Sequence, residues 1–237
     1  MRNEFTNLEF MEKEKAIILL SGGIDSCITT AIANKNYQTC LLHVNYGQRT
    51  SKREEKAFNE ISEYYKVKKN LYTIFRIDYF RKIGGSSLTN QSMKIPNNLL
   101  KTIPNTYVPF RNANLLAIAV SWAEVINAKK IFIGAMEEDS SGYPDCREKF
   151  FYVFNQMIKL GTKPETEITI ETPIIHKTKA EVIKIGLELN APLELTWSCY
   201  QNSNVSCGVC ESCRLRIKAF KEAGVKDPIS YGISINW

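Results

Sequence analysis

Ala16-Ile17-Ile18-Leu19-Leu20-Ser21-Gly22-Gly23-Ile24-Asp25-Ser26 is the stretch whose reading decides the fold. Its unbroken apolar run reads as a buried strand. Ser21-Gly22-Gly23 ends that strand in a tight turn, and Ile28, Ala31 and Ile32 then follow at helical spacing from a start near Asp25 or Ser26. A strand that runs straight into a helix opens a strand–helix–strand unit. The turn then lies at the carboxyl end of a strand, where open α/β sheets bind their ligands.

The same alternation continues along the chain. A second buried strand is expected over Thr39–Val44. Ser51 and Glu54 have the spacing of a capping box, followed by Ala57, Phe58, Ile61, Tyr64 and Tyr65 at helical spacing. Leu71–Ile77 reads as a third strand. Residues 78–106 break the pattern with Gly84-Gly85-Ser86-Ser87, Pro96 and Pro104, and a segment this long reads as a lid, a binding loop or a partly disordered stretch. An apolar helix is expected over Ala113–Ile126 and a fourth strand over Lys130–Ala135. The helix Arg147–Leu160 should bury Phe150, Phe151, Phe154, Met157 and Ile158. Ile168–Ile175 is a fifth strand limited by Pro173. Thr178 and Glu181 form another capping box, and a last helix runs from about Cys213 to Ala223 with Gly224 as its C-cap. This order predicts an α/β fold: a parallel five-stranded sheet with helices on both faces, followed by a C-terminal four-cysteine clip. One domain is expected over residues 1–237, with a nucleotide-binding core over 16–195 and a metal-binding segment over 196–224.

Composition narrows the function. The chain has 237 residues, 44% hydrophobic and 24% charged, which excludes collagen-like and wholly disordered classes. No apolar run approaches the ~18 residues of a membrane span, and the polar start reads as neither signal peptide nor anchor. A cytoplasmic protein with no membrane partner is expected. The formal charge of +6 suits an anionic ligand such as a nucleotide, and no basic stripe with interleaved aromatics suggests a stable nucleic-acid partner.

Ser21, Gly22, Gly23, Ile24, Asp25 and Ser26 together suit an anion. The glycines let backbone N–H groups approach it closely, the helix N-terminus adds partial positive charge, and both serines can donate. Asp25 cannot bind phosphate directly, so it is expected to hold Mg²⁺ or to cap the helix. Neither G-x-x-x-x-G-K-[ST] nor a G-x-G-x-x-G after a strand occurs, so Walker-type and dinucleotide-binding sites are not supported.

Four of the seven cysteines, Cys199, Cys207, Cys210 and Cys213, lie within one short stretch. Close C-x-x-C pairs suit tetrahedral zinc, and four protein ligands leave no open position, so a structural Zn²⁺ is expected. An iron–sulfur cluster, redox C-x-x-C chemistry and unrelated buried thiols are the competing readings. Cys27, Cys40 and Cys146 have no assigned role. Arg111, in Val108-Pro109-Phe110-Arg111-Asn112, is a candidate for a carboxylate or a phosphate, which guanidinium binds bidentately. Tyr143 and Asp145 are candidates for reading a planar purine-like ring, against the plainer reading of a Pro-centred turn with an Asp cap. Lys163, Lys177, Thr178 and Lys179 are candidates to approach phosphates, against the plainer reading of solvated helix-face positions, and His43 and His176 offer no defensible catalytic pair.

The S-G-G-x-D-S turn after the first strand resembles the signature of the PP-loop ATP pyrophosphatases. His43-Val-Asn-Tyr-Gly-Gln-Arg49, V-P-x-R-N, S-G-Y-P-D-C-R, Thr172-Pro173, Lys179-Ala180-Glu181 and the C-x-x-C-x-x-C end extend the likeness from about Ala16 to Ala223. With them the chain resembles the QueC family of 7-cyano-7-deazaguanine synthases. The resemblance implies an ATP-dependent ligase that takes 7-carboxy-7-deazaguanine and ammonia to the nitrile on the route to queuosine. It passes through an adenylated carboxylate and an amide and releases AMP and pyrophosphate. It implies an ATP loop at Ser21–Ser26, Asp25 and Arg111 as catalytic residues, and Arg111, Asn112, Tyr143 and Asp145 toward the substrate. It also implies one structural zinc on the four clustered cysteines, with Mg²⁺ accompanying ATP, and agrees with a homodimer. Phe110 stands where many relatives have a small residue. A tRNA-modifying PP-loop enzyme and a non-catalytic nucleotide-binding module are the alternatives.

Overall fold

The computed structural model describes residues 13–95, 103–137 and 142–237. Strands β1 (Lys15–Leu19), β2 (Gln38–Asn45), β3 (Tyr72–Arg76), β4 (Lys130–Ile133) and β5 (Thr169–Glu171) pair in parallel in the order β3-β2-β1-β4-β5. The helices are α1 (Ile24–Asn34), α2 (Ser51–Tyr64), α3 (Tyr79–Ile83), α4 (Arg111–Ile126), α5 (Glu148–Gly161), α6 (Lys179–Glu188) and α7 (Glu211–Ala223). Along β1 the side chains alternate. Ala16 and Ile18 enter a core shared with α1, α2, α6 and α7, while Ile17 and Leu19 enter a second core with α4 and α5. Both faces are covered, which is why the strands read as apolar runs rather than alternating ones.

The sheet grows from β1 toward β2 and β3 on one side and toward β4 and β5 on the other. The strand order therefore reverses between β1 and β4, and the crevice at their carboxyl ends is the topological switch point. Among the described residues no helix is long and apolar enough to cross a membrane.

Several local expectations need correction. The Ser51–Glu54 capping box does not form. Thr50 is the N-cap of α2, its hydroxyl donates to Glu54 Oε1 at 2.7 Å, and Gln48 Nε2 donates to Glu54 Oε2 at 2.8 Å. The glutamate is satisfied from upstream, so Ser51 is simply the first helical residue. The Thr178–Glu181 box does form, with both reciprocal bonds in place. In α5 the buried stripe is Phe151, Phe154 and Ile158, whereas Met157 is 53% exposed on the outer edge beside Val153. β5 stops at Glu171 because Pro173 cannot donate to the ladder, and Ile175 N–H turns back onto Thr172 O. Within 78–106, α3 adds a short helix. The Arg49 guanidinium donates to the carbonyls of Ser87 (2.6 Å), Asn90 (2.7 Å) and Met93, with Leu88 and Ile95 buried beneath. Residues 96–102 of that segment lie outside the described residues.

The chain after α7 is anchored by a buried ion pair. Gly224 caps the helix in the left-handed region (φ 76°). Arg216 Nε and Nη2 then grip the Asp227 carboxylate at 2.6 and 2.8 Å, Arg216 Nη1 reaches Thr196 Oγ1 at 2.8 Å, and the Tyr231 hydroxyl donates to Asp227 at 2.6 Å. Removing the carboxylate alone would leave a guanidinium buried without its counter-charge. Asp227→Ala should therefore cost about 3–5 kcal/mol in urea unfolding. A loss below about 1 kcal/mol, the scale of an exposed pair, would contradict this role.

Candidate active site

The turn after β1 is built by close approaches. Gly22 has φ +89°, and a Cβ there would fall 2.8 Å from Glu54 O and 2.9 Å from Ala57 Cβ. Gly134, just after β4, permits a tighter contact still: its Cβ would meet the backbone of Asp25 and Ser26 at 2.7–2.9 Å. Nothing in the local pattern around Gly134 signals this. The loop is braced by its own hydroxyls. Ser26 Oγ donates to Gly23 O at 3.0 Å, which leaves Ser21 Oγ to donate to Ser26 Oγ at 3.0 Å, and Gly23 N–H donates to Ser21 Oγ at 3.2 Å. The first turn of α1 starts at Ile24, so its free N–H groups and dipole face the crevice.

A cavity of about 310 Å³ opens over this loop, with Ser21, Asp25, Tyr46, Arg111, Tyr143 and Lys179 on its walls. Lys179 Nζ lies 2.6 Å from Asp25 Oδ2, both side chains half-buried. The pair joins residues 154 positions apart, so a helix-face reading of Lys179 could not have found it. The Thr178–Glu181 box fixes where α6 begins and hence where its first residue, Lys179, points.

Arg111 opens α4. Its guanidinium lies over the Tyr46 ring (5.7 Å to the centroid) and donates to Tyr46 Oη at 3.4 Å and to Asn112 Oδ1 at 3.2 and 3.3 Å. The N-cap of α4 is Phe110, in the left-handed region at φ 55° with no side-chain cap. Asp145 supplies the missing cap: its Oδ2 accepts from Asn112 N–H at 2.8 Å, and Asn112 Nδ2 donates to Asp145 O at 2.9 Å. Arg111, Asn112, Tyr143 and Asp145 thus gather at one wall, with the Asp145 carboxylate engaged by the helix start. Tyr200 lies on the same wall, unremarked in the sequence.

Burial pushes the Cys146 thiol up to about 11, against the opposing pull of Arg111. Burial likewise raises Cys40 to about 11 and Cys27 to about 12. All three are protonated thiols near neutral pH and poor nucleophiles. Burial lowers His43, which stays neutral with Nδ1 donating to Leu20 O at 3.0 Å. His176 is exposed, 3.1 Å from Glu148.

Beside the crevice, the sulfurs of Cys199, Cys207, Cys210 and Cys213 all lie within 4.8 Å of one another. Backbone N–H groups point at them: Asn202 and Cys207 donate to Cys199 Sγ at 3.3 and 3.4 Å, and Cys210 donates to Cys207 Sγ at 3.3 Å. Convergent soft donors with N–H···S support fit a bound metal ion such as zinc. The cluster adjoins the Ser21–Ser26 loop, since Trp197 N–H donates to Gly22 O at 2.8 Å.

A strand–loop–helix anion site at the switch point of a parallel sheet, with Asp25 and a lysine over it, defines a nucleotide-binding protein of the PP-loop class. The family model described as "QueC: Queuosine biosynthesis protein QueC" matches residues 15–224, and the chain belongs to that family. It is 54% identical over 222 residues to the 7-cyano-7-deazaguanine synthase of Chloroherpeton thalassium, covering 92% of this chain and 97% of that protein. It is 56% identical over 220 residues to the enzyme of the same name from Chlorobium phaeobacteroides, covering 92% and 96%. Among solved structures, a predicted subunit of a tRNA methyltransferase from Methanocaldococcus jannaschii overlaps with a TM-score of 0.48 at 15% identity over 92% of each chain, a likeness too distant to bear on activity.

The sulfur geometry predicts about one metal ion per chain by elemental analysis of the purified protein. Cys213→Ser should lose most of it and melt at a lower temperature. Full metal content in that variant would show that the four sulfurs do not act as one site.

Proposed function

We propose that this chain converts 7-carboxy-7-deazaguanine, ammonia and ATP to 7-cyano-7-deazaguanine with release of AMP and pyrophosphate, the activity for which its relatives are named. The observation that carries the reading is the placement of Arg111 and Lys179 on the walls of the cavity above the Ser21–Ser26 loop. One site can then hold a carboxylate against the α-phosphate of a nucleotide.

In this reading the N–H groups of the loop and the α1 dipole hold the β- and γ-phosphates as the leaving group, while the Ser21 and Ser26 hydroxyls, whose protons are spent within the loop, brace it. Arg111 holds the substrate carboxylate in line with the α-phosphate, where orientation lowers the barrier most. The carboxylate oxygen attacks that phosphorus, the bond to the pyrophosphate oxygen breaks, and an acyl adenylate forms. Ammonia adds to the acyl carbon and loses a proton, and AMP leaves to give the amide. With a second ATP the amide oxygen attacks in the same way, and loss of AMP and the two N–H protons gives the nitrile. Lys179 passes from Asp25 toward phosphate charge, and the Asp25 carboxylate so released would hold Mg²⁺, which supplies charge neutralisation when bound. The metal of the four cysteines is read as structural Zn²⁺, because four protein thiolates leave no position for substrate. Its reduced cysteines and use of ATP suit a cytoplasmic enzyme, and the reading needs no nucleic-acid partner.

Purified protein with Mg²⁺, ATP, ammonia and the 7-carboxy base should release AMP and pyrophosphate only when the base is present. Arg111→Ala and Lys179→Ala should each lower kcat about 10²- to 10³-fold. AMP formation indifferent to the base, or to both substitutions, would rule this reading out. Elemental analysis should find zinc rather than iron.

A further inference from the structure

The buried wall of the cavity carries a hydrogen-bond chain that the mechanism above does not use. Thr106 is fully buried (0% exposed), and its hydroxyl has two partners: Glu211 Oε2 at 3.4 Å, a long contact, and Tyr143 Oη at 2.9 Å. A threonine hydroxyl carries one proton. The Glu211 carboxylate oxygen accepts, so that proton is directed to Glu211. The Tyr143 phenol must then donate its own single proton to Thr106 Oγ1. The chain has one direction: Tyr143 to Thr106 to Glu211.

This direction decides what Tyr143 can offer a ligand. Its proton is committed, and among the described residues its oxygen has no other hydrogen-bond partner. Burial pushes the phenol up to about 12, so it stays protonated near neutral pH. Tyr143 lines the cavity together with Arg111 and Tyr46, and a ligand group that reaches its phenol oxygen meets an acceptor. The Asp145 carboxylate, the other acceptor that the sequence offers at this wall, has its Oδ2 engaged by the α4 N-terminus. Glu211 itself is 3% exposed and is the first residue of α7, directly after Cys210. The cysteine knuckle therefore sets the far end of the chain.

We propose that Thr106 and Glu211 are positioning residues that fix Tyr143 as a hydrogen-bond acceptor for the N–H and amino edge of the base. The site then selects a pyrimidinone ring that carries a 2-amino group. This rests on the functional reading above for the identity of the base. A site built to accept such protons leaves its acceptor unpaired when the analogue lacks one, and so discriminates against it.

The test is calorimetric titration of the full-length, metal-loaded protein with 7-carboxy-7-deazaguanine, with the analogue lacking the 2-amino group, and with ATP. Wild type should prefer the amino base by about tenfold or more. Thr106→Val keeps the side-chain shape and removes the hydroxyl. It should weaken the amino base about tenfold and erase most of the preference, with ATP affinity and metal content within about twofold of wild type. Glu211→Gln, which can present either polarity to Thr106, should erode the preference in the same direction and serves if Thr106→Val does not fold. An undiminished preference in the folded variants would overturn the proposal. So would parallel weakening of both bases and ATP, which is the signature of a merely structural link. A wild type that binds neither base would instead contradict the functional reading and the proposal with it.

Discussion

The N-terminus of α1 is wedged against the carboxyl ends of β1 and β4, and the rest of the site is arranged around that contact. A Cβ at Gly134 would overlap the backbone of Asp25 and Ser26, and one at Gly22 would overlap α2. Two missing methyl groups thus let a helix start where two parallel strands end. The consequence is chemical. The unpaired N–H groups and the positive end of the dipole are brought to the switch point of the sheet, where a low-dielectric wall strengthens their pull on an anion. Lys179 and Arg111 reach the same crevice from the starts of α6 and α4, so each cation is aimed by a helix terminus rather than by a flexible loop.

The C-terminal segment does more than close the fold. Trp197 hydrogen-bonds Gly22 and lies under Arg53, with the guanidinium carbon 4.6 Å from the ring centroid. The Arg216–Asp227 pair binds the stretch before the cysteines to the stretch after α7. Cys210 then places Glu211 against Thr106. The segment that carries the cysteines thereby touches the crevice at two points, the Ser21–Ser26 loop through Trp197 and the wall of Tyr143 through Glu211. A metal ion held by these four sulfurs would have no open position for chemistry, and would instead hold together the segment that meets both halves of the crevice.

The sheet was legible because both faces are buried: the strands are short apolar runs separated by helical stripes, and no competing pattern obscures them. The cysteines were legible from spacing alone. Local signals misled where a neighbour intervened. Ser51 and Glu54 have the spacing of a capping box, but Thr50 and Gln48 claim the glutamate first. Met157 has helical spacing with Phe150 and Phe154, yet the core closes on Phe151, Phe154 and Ile158. The contacts that make the site were the least visible. Lys179 with Asp25, Gly134 with the α1 start and Thr106 with Glu211 each join distant parts of the chain, and no periodicity encodes them. Asp227 and Tyr231 belong to the same group, a tail without pattern whose polar groups meet a buried arginine.

Everything in the proposed chemistry turns on one event: a carboxylate of the substrate, held by Arg111, attacks the α-phosphate of ATP gripped by the Ser21–Ser26 loop. The most direct measurement is mass analysis of the nucleotide product when both carboxylate oxygens of the 7-carboxy base are ¹⁸O. Attack at the α-phosphate, followed by loss of AMP to ammonia and again on nitrile formation, places one ¹⁸O in each AMP released. Unlabelled AMP, or label found in inorganic phosphate alongside ADP, would contradict it.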